Sequence, residues 1–272
     1  MKAFALTALF FLIFSQWLAA QELFINTEPA SNMATKSIGF RFTGLGYENS
    51  GAFKSIFEQE IMYGASSKIM VHADLFEDNN FSDNYNIRAA SLYAKYRFYA
   101  NDGLRKHFRM AAFARVSDAF LPDQNSEVSI MDDYSGASVG IVATQLLHKV
   151  AMSSSLAATD IFPNSGSILN NGHALEYSLS FGYLAMPKIY SNYKQTNMNL
   201  MVEFLGKTQW SSQANESQIQ ESDFLDFAPG VQFIILSRAR IDLSWRSQVY
   251  GNMQRMWYQS AFVRLEYNIF NT

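Results

Sequence analysis

The chain has 272 residues, of which 49% are hydrophobic, 15% aromatic and only 17% charged. An average soluble domain carries about 25% charged residues, yet a mean hydropathy of −0.08 is too polar for a bundle of membrane helices. A net charge of −3 and a pI near 5.8 argue against nucleic acid as a partner. The absence of Cys excludes disulfides, thiolate metal sites, iron–sulfur clusters, a cysteine nucleophile and a lipoprotein anchor.

Lys2 is the only charge before Gln21, and an apolar run from Ala3 to Phe14 is followed by Ser15-Gln16-Trp17-Leu18-Ala19-Ala20. This is the pattern of a secretory signal peptide over residues 1–20, with cleavage expected after Ala20. The run is too short for the ~20 apolar residues of a transmembrane helix. No later stretch is long and apolar enough either, so a membrane-spanning form of this chain must be a barrel. Residues 21–35 are expected as a periplasmic N-terminal segment and 36–272 as one outer-membrane β-barrel domain.

Alternation with period 2 recurs in segments of about ten residues, as in outer-membrane barrels. In chain order the pattern predicts strands over 36–44, 55–65, 68–76, 87–99, 107–117, 135–147, 150–161, 173–186, 197–207, 224–236, 239–250 and 256–270. Three are especially regular. Leu175, Tyr177, Leu179, Phe181 and Tyr183 oppose Glu176, Ser178, Ser180 and Gly182. Ile241, Leu243, Trp245 and Val249 oppose Arg240, Asp242, Ser244, Arg246 and Gln248. Val263, Leu265, Tyr267 and Ile269 oppose Arg264, Glu266 and Asn268. A helix would scatter these apolar residues around its circumference. Two segments fit less well: Ser154 would face lipid, and Pro229 inside 224–236 removes a ladder donor and implies a bulge.

Connection lengths alternate. The long ones are 45–54, 77–86, 118–134, 162–172, 208–223 and 251–255. Most others are tight, at Ser66-Ser67, Asp102-Gly103, His148-Lys149 and Ser237-Arg238, with 187–196 intermediate. Long outer loops, short periplasmic turns and an even strand count are the organisation of an outer-membrane barrel. The long connections are acidic, with Asp78, Asp83, Asp123, Glu127, Asp132, Asp133, Glu216, Glu221 and Asp223; the short turns lean basic. The chain nearly ends on an aromatic strand, Tyr267-Asn268-Ile269-Phe270, of the kind that barrel-assembly machinery reads.

Thr27-Glu28-Pro29-Ala30-Ser31-Asn32-Met33 stands just before the first strand. With Tyr93-Ala94-Lys95-Tyr96-Arg97-Phe98, His107-Phe108-Arg109-Met110-Ala111-Ala112-Phe113 and Val142-Ala143-Thr144-Gln145-Leu146-Leu147, it resembles a family of small Bacteroidota-type outer-membrane β-barrel proteins. The resemblance implies fold and location, in the outer membrane of a Gram-negative bacterium. It brings no defined activity and no functional residues.

The face opposite the aromatics gives a candidate lumen lining. Its basic members are Arg41, Lys95, Arg97, Arg109, Arg115, Lys207, Arg240, Arg246 and Arg264. Its acidic members are Glu58, Glu60, Asp74, Glu176, Glu203, Asp226, Asp242 and Glu266, and His72 and His107 join them. Charges in a narrow lumen must pair or line water. Two readings stay open: a narrow charged channel or transporter-type route for small polar solutes, and a non-conducting barrel filled by ion pairs that serves structure or surface interaction. Outer-membrane lipids are the other expected partner.

Catalysis is not expected. A lipid hydrolase needs a nucleophile beside a base near the outer leaflet. His173 with Ser165 or Ser167, oriented by Asn170 or Asn171, is the sole nearby set, and no lipase motif surrounds it. Met110, Met152 and Met198 read as lipid-facing. No cofactor is implied and no resident metal: the acidic loops lack the spacing of an EF-hand. Asn215-Glu216-Ser217 matches a glycosylation sequon that has little meaning in a bacterial outer membrane.

Overall fold

The computed structural model describes residues 24–80, 84–103, 106–121, 134–162, 169–189, 195–213 and 219–270. The signal sequence, the sequon and Ser165 and Ser167 lie outside the described residues. Twelve strands are described: β1 (Ile38–Asn49), β2 (Ala52–Tyr63), β3 (Ile69–Asp78), β4 (Asn86–Asp102), β5 (Lys106–Ala119), β6 (Gly136–Leu147), β7 (Val150–Ile161), β8 (Leu169–Met186), β9 (Asn197–Gln213), β10 (Gln220–Ile235), β11 (Ala239–Gly251) and β12 (Gln259–Ile269). Each pairs antiparallel with its sequence neighbours. β1 also pairs with β12, from Ile38↔Ile269 to Gly46↔Ala261, which closes the sheet into a barrel with no free edge. No helix occurs among the described residues.

The alternation that marks the strands sorts them inside out. Phe40 and Phe42 of β1, Leu92 and Tyr96 of β4, Leu243 and Trp245 of β11, and Leu265 and Tyr267 of β12 stand exposed on the outer wall. Between them the charged and hydroxylic side chains turn inward. A water-facing wall of this kind would be an aggregation hazard, whereas hydrocarbon solvates it. Ser154 does point outward among these apolar residues.

β8, β9 and β10 reach further into the expected connections, to Leu169, Gln213 and Gln220, and four other expectations change. The connection 45–54 is not a long loop. β1 and β2 run on to the pair Asn49↔Ala52, and Ser50 (φ 53°) and Gly51 (φ 79°) close a two-residue hairpin. Positive φ at both central residues matches the right-handed twist of the strands. The last strand begins at Gln259, not 256, because residues 252–258 fold over the barrel mouth. Pro229 does not make a bulge: β10 keeps its register past it, from Phe227↔Ser247 to Gly230↔Ser244, and the register shift lies at Leu225/Asp226.

The fourth change bears most on function. Residues expected outside the wall as a periplasmic segment, 21–35, are described from Phe24, and Phe24, Ile25, Thr27 and Pro29–Met33 are buried inside the barrel. A turn at Ala34–Ser37 joins this segment to β1. Ser37 N–H donates to Ala34 O at 3.1 Å, Lys36 N–H to Gly64 O at 2.6 Å, and Gly64 N–H to Ser37 O at 3.0 Å. A Cβ on Gly64 would stand 2.1 Å from Ala34 O, so a glycine lets the β2–β3 turn sit against the returning chain.

Candidate functional site

The interior is built from three tiers: the N-terminal segment, a belt of ion pairs on the wall, and the loop over the mouth.

The segment carries backbone N–H groups that make no ladder, so side chains of the wall must satisfy them. Glu203 of β9, fully buried, does most of this. Its Oε1 accepts the N–H of Ile25 at 3.1 Å and of Asn26 at 2.8 Å, and its Oε2 accepts Thr27 N–H at 3.0 Å. Asn26 Nδ2 (3.1 Å) and Ser180 Oγ (2.9 Å) also donate to it. Lys95 of β4 is the opposite post. Its Nζ donates to Glu28 Oε1 at 2.8 Å, Pro29 O at 2.7 Å and Ser31 O at 2.8 Å. Ala30 N–H donates to Thr144 Oγ1 at 2.9 Å, Arg109 Nη1 to Ser31 Oγ at 3.0 Å, and Arg264 Nη1 to Ile25 O. Hydrogen bonds to charged groups contribute about 1.5–3 kcal/mol each, so the segment is held at two ends by opposite charges. At its tip Phe24 and Ile25 pack with Leu45, Tyr47, Ile56, Phe76 and Trp257. The string Thr27–Met33 that carried the family resemblance is this plug.

The belt crosses five strands. Arg240 contacts Asp242 (2.9 Å) and Glu266 (3.1 Å), Glu266 contacts Arg41 (3.0 Å), Arg41 contacts Glu60 (2.9 Å), and His72 Nδ1 lies 3.2 Å from Glu60. The pairs follow the register, Arg240↔Glu266, Arg41↔Glu266 and Arg41↔Glu60. Opposite charges placed directly across strands stabilise a sheet. Asp74, next to Glu60 on β3, accepts Ser91 Oγ at 2.5 Å.

Arg255 lies at the mouth. Its guanidinium makes a bidentate pair with Asp226, at 2.6 and 3.0 Å, and stacks over Phe224 and Trp257. Arg246 Nη2 joins Asp226 at 3.1 Å. Gly251, with φ 115°, turns the chain inward here; a Cβ on it would stand 2.2 Å from Asp223 O. Between plug, belt and mouth remains a cavity of about 100 Å³, lined by Asn26, Glu28, Glu58, His72, Arg115 and Arg264 among others.

Arg41, Glu58, Glu60, His72, Asp74, Lys95, Glu203, Lys207, Asp226, Arg240, Asp242, Arg246 and Glu266 are thus buried inside the wall, and Arg109, Arg115, Glu176 and Arg264 half-buried. Lys207 pairs with Glu176 at 3.0 Å. Arg97 departs from this set: a bulge beside it brings both Phe98 and Tyr99 to the outer wall, and its Nη2 donates to Ser67 O of the β2–β3 turn. His107 stands at the rim, with Nδ1 3.0 Å from Asp102, which also binds Arg109. Sequence reasoning missed Glu28, Thr144, Ser180 and Arg255. Arg255 had a signal: with Lys54 it is one of two cations in outer connections that otherwise lean acidic. His173 Nδ1 lies 2.6 Å from Asp160 on the exposed rim, but the serines proposed beside it lie outside the described residues.

A closed antiparallel barrel with an apolar exterior and a charged interior defines the class: the fold of outer-membrane β-barrel proteins. No family model and no curated relative matches the chain. A COG4313 outer membrane channel from Pseudomonas putida F1 is similar with a TM-score of 0.61 at 10% identity, over 90% of this chain and 100% of that one. A bacterial polysaccharide outer membrane secretin gives 0.41 at 8% identity, over 89% and 100%. OmpT of Vibrio cholerae in its trimer form gives 0.37 at 9%, over 87% and 100%. Of the three, the first shares the overall fold.

Proposed function

We propose that this chain is an outer-membrane channel of a Gram-negative bacterium whose lumen is held shut by its own N-terminal segment, and that displacement of that segment opens a narrow charged route for small polar solutes. The observation that carries the reading is the plug. It is held by non-covalent bonds to Glu203, Lys95, Thr144 and Arg109, all polar groups that can turn to water when the segment leaves. A wall meant only to be filled could have been apolar at lower desolvation cost. The outward apolar rows fit a lipid bilayer, and the aromatic last strand suits recognition by barrel-assembly machinery.

The test is conductance in planar bilayers. The wild type should be mostly closed, and Glu203→Gln or Lys95→Met should raise the open fraction. Wild type and both variants silent while correctly folded would favour a second reading. The ion-pair belt from Asp242 to His72 supports that one: a non-conducting structural or surface-interaction barrel with a salt-bridged interior.

A further inference from the structure

On the inner wall of β2 and β3 three metal-ligating side chains converge. We propose that Glu60, His72 and Asp74 bind one divalent transition-metal ion of the zinc class.

All three are about 4% exposed, and one donor atom of each lies within 4.8 Å of the others. The backbone enforces this. Glu60 and Asp74 are directly opposite in the β2–β3 register, and His72 precedes Asp74 by two residues on the same face. Two carboxylates opposed across strands repel, and Glu58, the next inward residue of β2, adds a third to the same wall. Arg41 reaches Glu60 from one side, and Arg115 and Arg264 line the adjoining cavity.

The independent observation is the state of the donors. His72 Nε2 and Asp74 Oδ1 are buried and make no hydrogen bond. A buried polar atom without a partner is unfavourable, and this group holds both. An ion would satisfy both. Donors around a tetrahedral ion with bonds of about 2.0–2.2 Å stand roughly 3.3–3.6 Å apart, so small side-chain movements complete the shell. One imidazole and two carboxylates match zinc-class ions, whereas Ca²⁺ takes six to eight oxygens. Arg41 on Glu60 would orient the ligating carboxylate as outer-shell partners do. The adjoining cavity of about 100 Å³, walled by Glu58, Glu60 and His72, leaves room for a water on the ion. Asn26, Thr27 and Glu28 of the plug line that cavity too, so the ion would sit where the plug meets the wall.

The experiment uses the full mature protein, refolded in detergent, free of tags and stripped with chelator. After incubation with Zn²⁺ and desalting, elemental analysis should find about one Zn²⁺ per chain. His72→Gln and Asp74→Asn should each lower retention about tenfold or more. Asp102→Asn, at the rim pair with His107, should leave it unchanged. X-ray absorption at the zinc edge of the wild type should show a nitrogen/oxygen shell with imidazole scattering, a readout that needs no variant to fold. No retained zinc, retention unaffected in folded His72→Gln or Asp74→Asn, or a spectrum without imidazole would overturn the assignment.

Discussion

Glu203 and Ile25, 178 residues apart in the chain, meet inside the barrel, where the Glu203 carboxylate accepts the Ile25 N–H at 3.1 Å. Around the same carboxylate gather the N–H groups of Asn26 and Thr27. One acidic side chain on the wall therefore holds three consecutive amides of a segment that has no strand to pair with.

Removing that acceptor should free the plug. Glu203→Ala leaves three amides without an acceptor, and the two buried ones, of Ile25 and Thr27, cost about 1–3 kcal/mol each. Ile25→Cys in this background should react with a maleimide much faster than Ile25→Cys alone, which is shielded in the interior. Equal rates would mean that Glu203 does not hold the segment.

At the mouth, Asp226 serves two guanidiniums, Arg246 and Arg255. Its removal takes the carboxylate from both buried guanidiniums, whereas losing either arginine leaves Asp226 with the other. Asp226→Ala should therefore cost about 3–5 kcal/mol and Arg246→Leu less, about 1–3 kcal/mol. Urea unfolding in detergent measures the order. Stabilisation by Arg246→Leu would place that residue against lipid and reject its inward position.

The β10–β11 hairpin closes through Leu236 (φ 53°) and Ser237 (φ 55°). A left-handed conformation costs an ordinary side chain about 1–2 kcal/mol, and Asn tolerates it best after Gly. Leu236→Asn should raise stability by about 0.5–1 kcal/mol in the same unfolding assay, with conductance unchanged. A loss of stability would count against the turn.

The strand ends fix sidedness. The Ser50-Gly51 turn and the loop 252–258 share one end, and the β2–β3 turn lies at the other with the base of the plug. Cys placed at Ser50 should label from outside in intact cells and Cys placed at Ser67 should not. The reverse pattern would invert the barrel.

The wall was legible in the sequence because lipid outside and charge inside impose a strict period of two, as in Ile241 to Val249 against Arg240 to Arg246. The length of β1 was not, for a physical reason. Beyond Gly44 the apolar residues Leu45 and Tyr47 point inward, and Gly46 and Glu48 outward. The contrast reverses where Phe24, Ile25 and Trp257 supply an apolar filling, so the stretch reads as a loop. The plug itself has no periodicity to read. Its N–H groups are satisfied by Glu203 and Thr144 and its carbonyls by Lys95, residues far away in sequence, and Pro29 interrupts any regular pattern. Inward charges could be named one by one, but their pairing needed the register that sets Arg41 between Glu60 and Glu266.

Closure by the plug is tested most directly with a disulfide. Ser180 Oγ and Thr27 Oγ1 stand 2.8 Å apart, and the chain has no Cys of its own. In the double variant Thr27→Cys/Ser180→Cys, the two thiols should oxidise to a bond that fixes the segment to β8. Conductance should be absent in the oxidised protein and return on reduction. Two thiols that stay free and reactive in the folded barrel, or an oxidised protein that conducts like the reduced one, would contradict a lumen closed by residues 24–34.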